Sequence, residues 1–415
     1  MMPVVILWVC IGMIVAQTLL ELNFERLDRS YARRTRNAVP ENLKDRVSPE
    51  EHSRSADYAI EHSNLSSWET VCARAIKIAF ILSGAIPLLY NATNSAFAGN
   101  LWMLALMIEG VSIGLGVLLW PFDWASTFGI EAKYGFNKTT PALWWRDLAR
   151  SLVLGIIFSV PIYVLIFYFA ETLPLWWVWA FVVLTVYELI LTWLWPNFIS
   201  PLFNKFTPLP EGSLKDRLMA LVDRAGIKVK KILVMDASKR SGHSNAYFTG
   251  FGSSRRIVLY DTIIEQMEET ELEAVLAHEI GHMKKKHILK SLLWSSAVSI
   301  VGLWVLSLVL AWPDFYRAFG LDISSGVVGG FWLVSFVAGA FMLWMIPLSA
   351  AYSRKHEYEA DAISAELVGS PTPLITGLRK MKKENLSSVE SHPATHAFYA
   401  GHPTVLERER ALLKK

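Results

Sequence analysis

His278 and His282 stand four residues apart with Glu279 between them, in the run Ala277-His278-Glu279-Ile280-Gly281-His282. On a helix, side chains at i and i+4 lie one above the other, so both imidazoles can reach a single cation. Glu279 is one step round the helix and can address a water bound to that cation. Two imidazole ligands and a carboxylate base at this spacing form the H-E-x-x-H arrangement of zinc peptidases. The bland alternative is an amphipathic helix carrying two surface histidines, so the surroundings must decide.

A catalytic zinc generally takes three protein ligands and keeps one position open. His287 is the nearest further candidate. Five residues beyond His282 is about 500° on a continuous helix, roughly 140° off the ligand face, and the spacing also misses the H-E-x-x-H-x-x-G-x-x-H pattern. His287 is therefore expected to be solvated or to face lipid headgroups. The better candidate lies in Ser353-Arg354-Lys355-His356-Glu357-Tyr358-Glu359-Ala360-Asp361. Glu357 and Asp361 share a helical face, with Arg354 on the same stripe and Glu359 nearly opposite. Glu357 as third ligand, with Asp361 accepting a ligand imidazole N–H, would complete the site. An ordinary charged face with an Arg354 pair is the alternative.

The elements that must position these residues begin with the helix itself. Thr270 with Glu273 reads as a capping box, and Leu272, Val275, Leu276, Ile280 and Met283 give helical apolar spacing. The helix is expected to run past Lys284-Lys285-Lys286 straight into an apolar segment. Upstream, residues 214–225 read as a helix capped by Ser213 and ended by Gly226. Lys231–Met235, Ala246–Thr249 and Arg256–Tyr260 read as strands, the last two joined by a Gly/Ser turn at 250–254.

The rest is dominated by apolar sequence. The 415-residue chain is 53% hydrophobic with 17 Trp, which points to a membrane protein. Seven stretches are long and apolar enough to span a bilayer, near 3–20, 73–90, 101–121, 151–170, 174–195, 291–312 and 327–350. The first has no basic n-region or clear cleavage site and reads as a retained anchor. Loops one and three are rich in Lys and Arg (Arg26, Arg33, Arg34 and Arg36; Lys133, Lys138 and Arg146), whereas loops two and four have none and loop six only Arg317. The positive-inside rule then puts loops one, three and five and the C-terminus in the cytoplasm. Two crossings separate the histidines from Glu357, so both lie on that side. Glu109 and Glu188 fall inside spans, facing an aqueous chamber or pairing across helices.

The expected fold is mainly α, a polytopic seven-helix membrane protein with a small α+β cytoplasmic unit. Its parts are a five-span region at 1–195, the α+β unit with the metal helix at 196–290, two spans at 291–350 and a C-terminal cytoplasmic part at 351–415. A net charge of +3 gives no argument for nucleic acid. Cys10 and Cys72 form neither a disulfide framework nor a thiolate zinc site.

His278-Glu279-Ile280-Gly281-His282 followed by Ser353-Arg354-x-x-Glu357-x-x-Ala360-Asp361 resembles the type I CAAX prenyl proteases. The resemblance extends to Tyr134-Gly-Phe-Asn137, Pro201–Pro210, Ser244-Asn-Ala-Tyr-Phe248, Arg256–Leu259 and Gly401-His-Pro-Thr-x-x-Glu-Arg408. It implies a seven-span zinc endopeptidase that cleaves C-terminal to an isoprenylated cysteine. It further implies one zinc per chain on His278, His282 and Glu357, with Glu279 as base. The strand at Ser244–Phe248, particularly Asn245, Ala246 and Phe248, would pair with the substrate backbone. His402 would face the scissile carbonyl, and Arg408 would support the site. Pro403-Thr404 with Glu407 independently reads as a capping box, placing His402 just before a helix N-terminus where a donor could stabilise an oxyanion.

The expected partners are the bilayer and a peptide or prenylated protein, with a monomer favoured. The membrane is bacterial inner membrane or endoplasmic reticulum. Within the protease class the alternative is a quality-control enzyme without prenyl selectivity. Outside it stands a transporter or scaffold with a structural metal, which leaves Glu279 unexplained, since a closed structural site needs four ligands and no base.

Overall fold

The computed structural model describes residues 1–227, 229, 231–249 and 256–414. Among the described residues, five helices are long and apolar enough to cross a membrane: Met2–Thr35, Pro141–Thr172, Trp176–Phe203, His287–Leu310 and Ile323–Met342. Two bent pairs raise the number to seven when each counts as one span. These are Pro49–Leu82 with Ala85–Ala96, bent by 61°, and Leu101–Val117 with Trp120–Tyr134, bent by 48°. Gly84, at φ 74, supplies the left-handed residue at the first bend. Large apolar side chains such as Trp8, Val153, Ile157, Leu293 and Trp304 point outward, the arrangement that a lipid solvent requires.

The first polar loop carries more structure than its composition suggests. Helix Met2–Thr35 continues well past the apolar stretch, and Pro49–Leu82 starts long before the next one. The two lie side by side and reach the C-terminal part of the chain. Buried His52 bridges Thr35 O (3.0 Å) and Ser388 Oγ (2.9 Å). Ser55 Oγ donates to Leu386 O at 2.5 Å, and the His392 N–H donates to Asp28 at 2.7 Å.

The α+β unit holds a four-stranded sheet of order β1-β2-β4-β3, with β1 Phe206–Pro208, β2 Lys231–Met235, β3 Ala246–Thr249 and β4 Arg256–Tyr260. The β2/β4 pair is parallel and the other two are antiparallel. Strand β1 is an addition to the three expected; the 250–254 turn lies outside the described residues. Ala246, Ile257 and Leu259 pack with Leu272, Leu276 and Ile280 of helix Glu269–Lys284 in one apolar core. Alternation along the strands therefore seats the metal helix on one face of the sheet.

Three local expectations are corrected. The helix cap is Glu268 with Glu271, not Thr270 with Glu273; Glu273 instead pairs with Arg217 at 2.8 Å and with Arg224. Helix Ser213–Arg224 is preceded by Gly212 as its N-cap, and Ser213 donates to Glu269. Most important, the metal helix does not run into the sixth span. It stops at Lys284, Lys286 adopts a left-handed conformation (φ 56), and a new helix opens at His287. The seventh span is similarly interrupted after Met342, and a separate helix, Met345–Val368, carries Glu357.

Candidate metal centre

Helices Glu269–Lys284 and Met345–Val368 form the most extensive helix pair in the molecule. Gly281 makes the close approach possible: a Cβ there would lie 2.8 Å from both Cα and O of Ala360. Ala360 is itself fully buried, and Ser364 Oγ donates to Ala274 O at 2.7 Å across the same seam. Two small residues thus let the backbones nearly touch, and the side chains one turn away, His278 and Glu357, meet.

The outcome is a cluster of His278, His282 and Glu357 whose ligand atoms all lie within 4.8 Å of one another. His278 Nε2 and His282 Nε2 are 3.1 Å apart. Glu357 Oε2 is 3.5 Å from the first and Oε1 is 3.4 Å from the second. Donor atoms bound at about 2.0–2.2 Å around a tetrahedral ion are separated by about 3.3 Å, so the spacing suits zinc. The chemistry of the set agrees. Two imidazole lone pairs and a carboxylate converge, and Glu357 Oε2, although His402 Nδ1 stands 2.9 Å away, receives no well-aligned hydrogen bond among the described residues, a costly arrangement unless a cation is placed among them.

The partners of His278 settle its tautomer. Its Nδ1 donates to Asp361 Oδ1 at 2.8 Å, leaving Nε2 as a lone-pair donor toward the cluster. Buried Arg408 grips Asp361 with two bonds, Nε to Oδ2 at 2.9 Å and Nη2 to Oδ1 at 2.6 Å. Burial alone would raise the Asp361 pKa, but the bonds from His278 and Arg408 outweigh it and hold the carboxyl charged. For Glu357, too, burial is outweighed by the surrounding His278, His282 and His402 imidazoles, which keep it well below the usual range. Among the described residues Glu279 has no such partners, and burial pushes its pKa up, only partly offset by the neighbouring His278 and His282. A carboxylate shifted toward neutrality is a more competent general base.

His402 stands at the mouth of the cluster, its side chain 74% exposed, with Nδ1 2.9 Å from Glu357 Oε2. It lies just before helix Val405–Leu413, whose capping box is Thr404 with Glu407. Arg354 donates to Ala400 O at 2.6 Å rather than pairing with Glu357, so the charged-face alternative is not realised. Strand β3 is the sheet edge beside the metal helix. The Tyr260 N–H donates to Asn245 O, which makes Asn245 and Tyr247 the residues bonded to β4. The main-chain groups of Ala246 and Phe248 therefore face the open edge. The Ala246 N–H is met by Asn245 Oδ1 at 2.8 Å, and the Asn245 side chain is exposed.

One expectation fails outright. His287 faces neither solvent nor lipid headgroups but is packed inside the protein, 3% exposed. Its Nδ1 lies 2.9 Å from His282 Nδ1, its Nε2 lies 3.1 Å from Glu359 Oε2, and its ring stacks on His356 at 4.0 Å. An offset of about 140° holds only on an unbroken helix, and the left-handed turn at Lys286 swings the imidazole back. A left-handed lysine carries no sequence signal comparable to Gly or Asn, so the residue pattern alone could not show it. Of the intramembrane carboxylates, Glu188 is exposed and lies 3.5 Å from Ser295 Oγ on the helix His287–Leu310, a contact across helices.

Comparison with known proteins places this arrangement. Residues 28–205 match the model for the CAAX prenyl protease N-terminal region with five membrane helices, and residues 208–415 match peptidase family M48. CAAX prenyl protease 1 of Saccharomyces cerevisiae is 32% identical, over 92% of this chain and 90% of the yeast protein. The Arabidopsis thaliana homolog is 32% identical over 90% of each chain, and the human homolog 27% over 94% and 91%. The crystal structure of S. mikatae Ste24p superposes with a TM-score of 0.92 at 30% identity, covering 98% of this chain and 99% of that one.

Proposed function

The chain belongs to the CAAX prenyl protease family within the M48 peptidases and is a multi-pass membrane metalloprotease; on that premise we propose that it is a zinc endopeptidase removing the C-terminal tripeptide from isoprenylated proteins. The single observation that carries this reading is the convergence of His278, His282 and Glu357 from two helices beside a half-buried Glu279 that has no hydrogen-bond partner among the described residues.

In this reading His278, His282 and Glu357 hold one zinc. When bound, the ion lowers the pKa of a coordinated water toward neutrality and polarises a carbonyl. Glu279 takes the proton of the attacking water and later returns it to the leaving amine. Asp361, clamped by Arg408, fixes His278 in the tautomer that presents Nε2. His402, exposed at the mouth, donates to the oxyanion of the tetrahedral intermediate. The substrate backbone adds to the open edge of β3 at Ala246 and Phe248, with Asn245 turning its side chain to meet it. The active site works on the cytoplasmic side, as the loop charges favour, and the enzyme acts as a monomer. Residues 196–290 and 351–415 supply the chemistry, whereas 1–195 and 291–350 supply the membrane scaffold.

Purified protein assayed on matched CAAX peptides with and without a farnesyl group tests the assignment. Cleavage after the prenylated cysteine, lost on chelation and restored by zinc, is expected. Equal turnover of both peptides would replace it with a protease lacking prenyl selectivity.

A further inference from the structure

The two ligand histidines are held in different ways. His278 donates directly to Asp361, a carboxylate neutralised by Arg408. Among the described residues His282 has no carboxylate at its Nδ1, which instead meets the Nδ1 of another imidazole, His287, at 2.9 Å. Two imidazole nitrogens at that distance share one proton, so one ring donates and the other accepts. Glu359 decides which. Its Oε2 lies 3.1 Å from His287 Nε2, and a carboxylate only accepts, so His287 carries its proton on Nε2 and offers the Nδ1 lone pair. His282 must then carry its proton on Nδ1, which leaves its Nε2 free toward His278 and Glu357.

The surroundings hold this chain of contacts in place. His287 is 3% exposed, and its ring stacks on His356 at 4.0 Å and an interplanar angle of 10°. Lys290 Nζ lies 3.4 Å from the same Glu359 oxygen. The left-handed Lys286 (φ 56) is what brings His287 to His282 at all. A non-glycine residue is disfavoured in that conformation, and the buried contact is what the turn achieves.

We propose that His287 and Glu359 are positioning residues for His282: Glu359 sets the tautomer of His287, and His287 Nδ1 accepts the His282 Nδ1–H, aiming His282 Nε2 at the metal. The proposal rests on the assignment of His278, His282 and Glu357 as metal ligands. Outer hydrogen-bond partners of ligand histidines typically contribute 10–100-fold in metal affinity, and His287 belongs in that class.

The test is zinc affinity of the full-length protein in detergent, measured by competition with a chromophoric chelator, with cobalt absorption as a report on ligand geometry. His287→Phe keeps a ring to stack on His356 but removes the acceptor. His287→Asn places its Oδ1 close to where Nδ1 stood and restores an acceptor without restoring the ring. The expected results are a 10–100-fold loss of zinc affinity and an altered cobalt spectrum for His287→Phe, with most of the affinity recovered in His287→Asn. Glu359→Leu, a half-buried position outside the ligand set, should lose several-fold. Wild-type affinity in His287→Phe, or an Asn variant no better than Phe, overturns the relay, and so does wild-type affinity in Glu359→Leu should the His287 variants fail to fold. Failure of the underlying assignment looks different: wild type would bind no stoichiometric zinc, or His278→Ala would bind as wild type does.

Discussion

Gly281→Ala adds one methyl group at the place where the two site helices touch. An alanine Cβ would stand 2.8 Å from Cα and O of Ala360. Carbon atoms pack at about 3.5 Å or more, so the helices must part by about 0.7 Å. Neither obstacle is a flexible side-chain tip, since both are main-chain atoms of a buried residue. Ala360 lies one turn from Glu357, and Gly281 lies one turn from His278 and beside His282, so the parting is transmitted almost undiminished to the ligand atoms. Metal–ligand distances tolerate about 0.2 Å. The substitution therefore moves Glu357 out of coordinating range while costing only about 1–3 kcal/mol of packing. We expect a folded protein whose melting point falls modestly, whose zinc affinity falls about 100-fold or more, and whose proteolysis falls with it. Zinc titration, thermal melting in detergent and peptide cleavage measure the three effects. A Gly281→Ala protein with wild-type zinc affinity and cleavage would refute the reasoning, because the interhelical gap would then not set the ligand spacing.

Three further outcomes are expected. Glu279→Gln should retain zinc at wild-type affinity yet lose proteolysis by about 10²–10⁴-fold, the range for a general base; metal analysis beside a cleavage assay checks it. Arg408→Ala leaves the buried Asp361 carboxylate without its bidentate partner, which should cost about 3–5 kcal/mol and be visible as a lowered melting temperature. His52→Ala removes the buried link from the first loop to Ser388 and should cost about 1–3 kcal/mol, opening residues 385–392 to limited proteolysis while zinc affinity holds.

The degree to which the site is legible in the residues follows from how local each determinant is. A spacing of four puts His278 above His282 and Glu357 above Asp361 whatever the rest of the chain does. The meeting of the two pairs follows from counting membrane crossings. The capping box at Thr404 and Glu407 is equally local and appears as read. The failures are places where a backbone choice overrides helical periodicity. His287 departs from its expected place because Lys286 turns left-handed, and the second and third apolar stretches each lie in a bent pair of helices. The polar first loop withheld its structure for another reason. Its two helices are long extensions of spanning segments, held by hydrogen bonds such as His52 to Ser388 that join residues more than 300 positions apart. No window of sequence contains both ends of such a bond. The role of Gly281 was hidden in the same way, since its partner Ala360 looks unremarkable until the two backbones are seen in contact.

The far-flung bonds around Asp361 also have a temporal side. His278 and its neighbour His282 leave the ribosome 75 or more residues ahead of Glu357, and Arg408, which clamps Asp361, follows 47 residues after that aspartate. A nascent chain halted before Glu357 lacks one of the three proposed metal ligands, and one halted before Arg408 lacks the clamp on Asp361. The blade is fitted to this tool only when almost all of the handle has been made.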